Sequence, residues 1–297
     1  MRWGEPAAER SLRSNRLLGS MKGIRERMTI CIAAVCDRAR ACVVAADREI
    51  TVGFPINIGF EHHERKIEAL SNTCVVLSAG NALVAEEVIS RTKRGAVDDD
   101  VSHACAAVRE VYMGVHMERA EQVILRPRGI TLKEFKEFGA QRIPLAIYQQ
   151  MDQLFFNFTL NTEFLIAGVD ASGGHIGWVH YHGVQGGGWL ESFDKLGYQA
   201  IGTGGSHANI LLSLTGQHRE LSVPETVFNV YAAKVNAEVA PGVGPSTDMA
   251  VITESGTEFL TGDFIERLKN AQGKIKGQSP AAGELEGLFS KRKESRA

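Results

Sequence analysis

Thr29-Ile30-Cys31-Ile32-Ala33-Ala34-Val35-Cys36, then Asp37-Arg38-Ala39-Arg40, then Ala41-Cys42-Val43-Val44-Ala45-Ala46: this stretch decides the fold. Two apolar runs of strand length flank a polar four-residue turn, which reads as a hairpin. Both runs are nearly continuous in apolar residues, so the sheet is expected to be covered on both faces. Asp47-Arg48 ends the second run with charge, and Thr29 heads the first directly after Met28. A threonine that begins a mature chain carries a hydroxyl nucleophile and a free amine that serves as its base. While Met28 remains attached, that amine does not exist.

Working outward, the 297 residues are 44% hydrophobic. That suffices for one large domain with a proper core. The formal net charge of −2 favours neither nucleic acid nor an anionic membrane as a partner. No apolar run approaches the roughly 20 residues of a membrane span. The five cysteines (Cys31, Cys36, Cys42, Cys74 and Cys105) are odd in number and lack a CxxC pair. They read as reduced packing residues of a cytoplasmic protein. Residues 1–28 carry six arginines without a strand period and lack the apolar centre of a secretory signal. Glu5, Glu9 and Glu26 argue against a mitochondrial presequence. The segment reads as an N-terminal extension, either a propeptide or a mis-assigned start, with Met28 the favoured start because methionine before threonine is readily trimmed. The main domain is expected over 29–273. Residues 274–297 are polar and poor in core residues, so they are expected to be disordered.

Between these ends the pattern predicts a loop over Ile50–Glu64 and a strand pair, Lys66–Leu70 with Thr73–Ser78. A helix is expected over Ala82–Lys93, opened by Gly80-Asn81, and a long helix from Val101 to about Val123, its start marked by Asp98–Asp100. Arg126-Pro127-Arg128-Gly129 breaks that helix. Thr131 with Glu134 looks like a fresh capping box, and Ile143–Leu154 reads as helical, giving a helical insertion near 126–152. Glu163–Val169 and His175–Tyr181 form another strand pair. Tyr198–Ile201 is a short strand, followed by a Gly-rich loop, a helix near His207–Leu214, a helix over Glu225–Val239 with Pro224 in its first turn, and a strand over Asp248–Thr253. This order points to sheets packed on each other with helices outside, rather than to a βαβ alternation.

Four pieces of this sequence carry a family resemblance. They are the threonine-headed strand followed by Val43-Val44-Ala45-Ala46-Asp47-Arg48; Lys66 fourteen positions before Gly80 in Leu77-Ser78-Ala79-Gly80; Ile166-Ala167-Gly168-Val169-Asp170 followed by Gly173-Gly174; and Ala200-Ile201-Gly202-Thr203-Gly204-Gly205-Ser206, followed much later by Asp248-Met249-Ala250-Val251-Ile252. From Thr29 to about Gly262 the chain resembles a proteasome β-type subunit, an N-terminal-nucleophile (Ntn) hydrolase. It is especially similar to bacterial proteasome-related subunits that begin at Met-Thr. The resemblance implies an α+β protein with a four-layer αββα sandwich, assembled from copies of itself into a ring or ring-like stack. It implies a threonine-type peptidase acting on peptides or unfolded protein, with no metal or organic cofactor. Whether an ATPase partner exists is left open.

The resemblance also assigns roles. Thr29 is the nucleophile. Its free α-amine, with an ordinary pKa of roughly 7.7–8, takes the hydroxyl proton. Asp47 holds Lys66 beside Thr29, and the ammonium favours the neutral amine. Gly80 supplies an oxyanion-hole N–H, because glycine lets the backbone come close. Ser206 is a weaker support residue, one step off the family's serine position, which aligns with Gly205. The loop 50–60 and the residues after Gly80 are expected to line the substrate pocket.

Two departures from the family stand out. An aspartate and a serine-glycine pair are expected near 240–244, where this chain has Ala240-Pro241-Gly242-Val243-Gly244, so that support is absent unless Glu238 or Ser246 substitutes. Thr29 also lies eighteen positions before Asp47, two more than in the family, an excess that fits the Asp37–Arg40 turn. An alignment without insertion makes Cys31 the nucleophile instead. Two other activities stay open: a small-molecule amidase of the same superfamily, and a catalytically inactive ring-forming scaffold. His175, His180 and His182 lack acidic or cysteine partners at ligand spacing and read as surface strand histidines.

Overall fold

A computed structural model describes residues 29–52, 58–61, 65–95, 98–181 and 188–276. The N-terminal extension, the middle of the 50–64 loop, His182 and the tail beyond Lys276 lie outside the described residues. Within them the chain is mixed α+β, with two antiparallel five-stranded sheets and seven α-helices.

The first sheet has the order β10-β1-β2-β11-β12. Its strands are β1 (Ile30–Cys36), β2 (Ala41–Asp47), β10 (Tyr198–Gly202), β11 (Thr247–Thr253) and β12 (Gly256–Phe259). The β1–β2 hairpin forms as the pattern predicts, with Cys31 opposite Ala46 and Cys36 opposite Ala41. Asp37, Arg38 and Ala39 all take positive φ, so the turn closes through three successive left-handed residues. The second sheet has the order β5-β6-β7-β8-β9. Its strands are β5 (Ile67–Ala69), β6 (Cys74–Gly80), β7 (Thr162–Asp170), β8 (Gly173–Tyr181) and β9 (Gly188–Ser192).

The continuous apolar character of β1 and β2 has the cause expected for two covered faces. Along β1, Ile30, Ile32, Ala34 and Cys36 point to one core. Cys31, Ala33 and Val35 point to another, shared with Val75, Leu77, Leu165, Ala167 and Ile176 of the second sheet. The period of two thus splits one apolar strand between two cores. The first core is completed by α5 (Gly205–Leu214) and α6 (Val223–Ala237), through Ala208, Leu212, Val227, Val230 and Ala233. The far face of the second sheet, through Val76, Phe164 and Ile166, packs on α1 (Ala82–Arg94) and α2 (Val101–Ala120).

Local signals explain the helix starts. Asn81 caps α1 by accepting from Leu83 N and Val84 N, and Asp100 caps α2 in the same way. Ser222 and Glu225 form a reciprocal capping box on α6. Helix α2 runs on through a π-type turn (Glu121–Leu125) and a short 3-10 turn (Arg126–Arg128). Thr131 and Glu134 then box α3 (Leu132–Arg142), followed by α4 (Leu145–Phe156). These helices share a small core of Ala120, Ile124, Leu125, Phe135 and Met151, with Tyr148 stacked on Phe135 at 4.8 Å.

Several sequence expectations are corrected. Gly80 closes β6 and does not open the helix, because it pairs across to Thr162. The described part of 50–64 is a two-stranded ribbon, β3 (Glu49–Val52) with β4 (Ile58–Glu61). Strands β9 and β12 were not expected. Helix α7 (Gly262–Lys276) crosses the boundary placed at 273, with Ile265 and Leu268 packed on the first core.

Candidate active site

Thr29, Asp47 and Lys66 converge at one end of the β1–β2 hairpin. Asp47 is the last residue of β2 and fully buried, and Thr29 directly precedes β1 and is 2% exposed. Lys66 directly precedes β5, and its side chain is 13% exposed. The Thr29 hydroxyl donates to Asp47 Oδ1, and the Lys66 ammonium donates to Thr29 Oγ1. Lys66 Nζ also donates to Asp47 Oδ1 at 2.6 Å. Backbone donors complete the carboxylate's shell: Ile30 N reaches Oδ1 at 3.2 Å, and Gly244 N reaches Oδ2 at 3.1 Å. A carboxylate removed from water needs such compensation, and here an ammonium, a hydroxyl and two amides provide it. The hydroxyl oxygen therefore sits against a fixed positive charge, which stabilises negative charge developing there.

The neighbouring arginines do not compete for this carboxylate. Arg48 forks onto Asp248, Nε at 2.8 Å from Oδ2 and Nη2 at 2.5 Å from Oδ1. Arg65 Nε lies 3.7 Å from Asp248 Oδ1, with its guanidinium 4.3 Å over the Phe259 ring. Asp248 stands opposite Ala46 on β11, so the sheet register seats both arginines beside the site and leaves Lys66 on Asp47.

The second sheet approaches the same place. Cys31 Sγ donates to Ser78 O at 3.3 Å. The buried Glu163 on β7 accepts from Gly202 N at 3.0 Å and from Trp178 Nε1 at 3.1 Å. Gly202 in turn pairs with Ile30. Gly80 ends β6 with φ +112, and a Cβ there would fall 1.9 Å from Asn161 O, so only glycine fits. The β5–β6 register sets Ile67 opposite Leu77, which brings Lys66 level with Ser78, two residues short of Gly80. The loop after β10 touches Thr29 directly, with Gly204 N donating to Thr29 O at 3.4 Å.

No protein-family model matches the chain, and a comparison with curated proteins finds no match.

The structure thus joins Thr29, Asp47 and Lys66 and places Gly80 at the same end of the second sheet. It does not join Ser206, which is exposed in the first turn of α5 and makes no hydrogen bond to the other three among the described residues. The loop's contact with Thr29 comes from Gly204 instead. The rival nucleophile Cys31 is fully buried inside β1, and burial pushes its thiol far up from the ordinary range. Such a thiol is a poor source of thiolate.

Sequence reasoning missed Gly244, Glu163 and Lys234. Glu163 had a signal, since it shares the alternation of the core residues Leu165, Ala167 and Val169 yet carries charge. Lys234 had one too, lying three and four residues after the core residues Tyr231 and Val230 on α6.

The histidines differ from the surface reading. His180 is buried and stacks on Trp178 at 3.8 Å, with Glu191 3.7 Å from Nε2. His175 has acidic partners. Its Nδ1 is 2.9 Å from Asp194 Oδ2, and its Nε2 is 2.7 Å from Ser172 Oγ. That is the atom order of a serine triad, but the Ser172 hydroxyl donates to Asp170 Oδ1 at 2.7 Å. The single hydroxyl proton of Ser172 thus faces a carboxylate as well as an imidazole nitrogen, which a serine triad does not place on its nucleophile. The cluster pins the β7–β8 hairpin. Among the described residues no group of three acidic, histidine or cysteine side chains is arranged to hold a metal ion, and no helix is long and apolar enough to cross a membrane.

Proposed function

We propose that the chain is an N-terminal-threonine amide hydrolase with the four-layer αββα architecture of Ntn hydrolases. The observation that carries this reading is the Thr29 hydroxyl held between the Asp47 carboxylate and the Lys66 ammonium. Once Thr29 is the first residue, its Oγ attacks the scissile carbonyl carbon and its α-amine takes the hydroxyl proton, directly or through a water. Lys66 offsets the charge developing on Oγ while that proton leaves. The Gly80 N–H stabilises the carbonyl oxygen as it becomes an oxyanion. Collapse expels the amine of the substrate, which takes the proton from the α-ammonium, and leaves an ester on Thr29. Water then attacks the ester carbon and gives a proton to the α-amine, and the α-ammonium passes it to Oγ as the ester C–O bond breaks, releasing the carboxylic acid and restoring the hydroxyl.

The substrate class proposed is peptide or unfolded protein, and the assembly is a ring or ring-like stack of identical chains in the cytoplasm. The test begins with the intact mass of the purified protein. A species starting at Thr29 is expected; a chain that keeps Met28 or all of 1–28 would sink the mechanism. With Thr29 exposed, fluorogenic peptides should be cleaved and Thr29→Ala should abolish cleavage. Turnover of small amides alone would move the substrate class to small molecules. No turnover of either would leave a scaffold.

A further inference from the structure

Lys234 is a fully buried lysine on α6, outside the catalytic trio. Its ammonium donates to Glu238 Oε1 at 2.7 Å, Gly244 O at 2.7 Å and Pro245 O at 2.9 Å. Glu238 follows one turn later at the end of the same helix, with a side chain 30% exposed. Removing a lysine from water is expensive, and Lys234 shares its helix with the core residues Val227, Val230 and Ala233, beside which an apolar residue would avoid that cost. What the charge does here is fix a loop. Gly244 is gripped from both sides, its C=O by Lys234 and its N–H by Asp47 Oδ2 at 3.1 Å.

We infer that Lys234 is a positioning residue for hydrolysis, acting through Gly244 to hold one backbone donor on the Asp47 carboxylate. The inference rests on the reading of Thr29, Asp47 and Lys66 as the catalytic trio. It supplies the support for Asp47 from a place where the family resemblance calls for an aspartate and a serine, and where this chain has neither. The link runs through successive contacts: Glu238 anchors Lys234, Lys234 anchors the 244–245 carbonyls, and Gly244 presents its amide to Asp47. Loss of the ammonium frees both carbonyls and lets the Gly244 amide drift from the carboxylate. Asp47 then holds Lys66 and the Thr29 hydroxyl less firmly, and the chemical step slows more than substrate binding weakens.

The test uses the processed full chain and a fluorogenic peptide, with kcat and KM measured. Lys234→Met should lower kcat about tenfold or more and keep KM within roughly twofold. Val88→Ala cuts a separate core, between α1 and the second sheet, so it should lower Tm but leave kcat within about twofold of wild type. If Lys234→Met does not fold, Glu238→Gln, at the half-exposed end of the link, should give a smaller fall in kcat with KM again kept. Wild-type kcat in the folded variants would overturn the inference, as would an equal fall in kcat in Val88→Ala. Thr29→Ala run in parallel separates the two levels: if it stays active, the catalytic reading itself fails, whereas a dead Thr29→Ala with an unaffected Lys234→Met removes only the role of Lys234.

Discussion

Lys66 Nζ lies 2.6 Å from Asp47 Oδ1, and the carboxylate is wholly out of solvent. Breaking such a pair from one side leaves the other charge stranded. Asp47→Asn and Lys66→Met should each lower stability by about 3–5 kcal/mol. The double variant should recover part of that loss, giving a clear coupling energy in a double-mutant cycle. Denaturant titration of the four proteins measures it. Strictly additive single effects would mean that the two charges do not interact.

Gly80 gives a second test of the site's backbone. With φ +112 and Asn161 O only 1.9 Å from the position of a Cβ, Gly80→Ala must distort either the end of β6 or the start of β7. A loss of roughly 1–3 kcal/mol is expected, together with most of the turnover. A Gly80→Ala protein of wild-type stability would contradict the local geometry.

How much of this was legible in the sequence depends on the range of the signal. The β1–β2 hairpin, the Thr131 cap and the long α2 helix rest on neighbouring residues, and the pattern shows them. Thr29, Asp47 and Lys66 were legible only through family spacing, because 37 positions separate Thr29 from Lys66 and local chemistry cannot say that they meet. The short strands β9 and β12 follow from pairing with β8 and β11, which no local pattern records. Gly244 acts through its amide, which every residue but proline possesses, so its role could not be read from residue type at all. Gly80 looked like a helix opener since a glycine before Asn81 fits that reading equally well; the partner across the sheet decides against it.

The cysteines provide a chemical check. All five are free and buried, and burial raises the thiols, Cys36 to about 11 and Cys105 to about 12. A thiol reagent should therefore titrate none of them in the native protein and all five after denaturation. Cys31→Ala should keep turnover within a few-fold of wild type, whereas loss of all activity with intact fold would revive Cys31 as nucleophile.

His116 sets a pH dependence of stability. Burial lowers its pKa, opposed in part by the bond from Nε2 to Phe158 O at 2.9 Å, and Nδ1 meets no partner among the described residues. The folded form thus binds its proton at lower pH than the unfolded chain, whose histidine titrates near roughly 6.5. The contribution to stability is complete above that value and falls as pH drops from it toward the folded pKa. His116→Gln keeps a donor for Phe158 O without titrating, and should flatten this part of the stability–pH curve. An unchanged slope would assign the acid sensitivity to other groups.

The most direct test of the central claim is to map the adduct of an electrophilic β-lactone by peptide mass spectrometry. A single ester on Thr29, in a chain that begins at Thr29, is the result predicted, with no labelling of Thr29→Ala. An adduct on any other residue, or peptide hydrolysis that persists in Thr29→Ala, would contradict it.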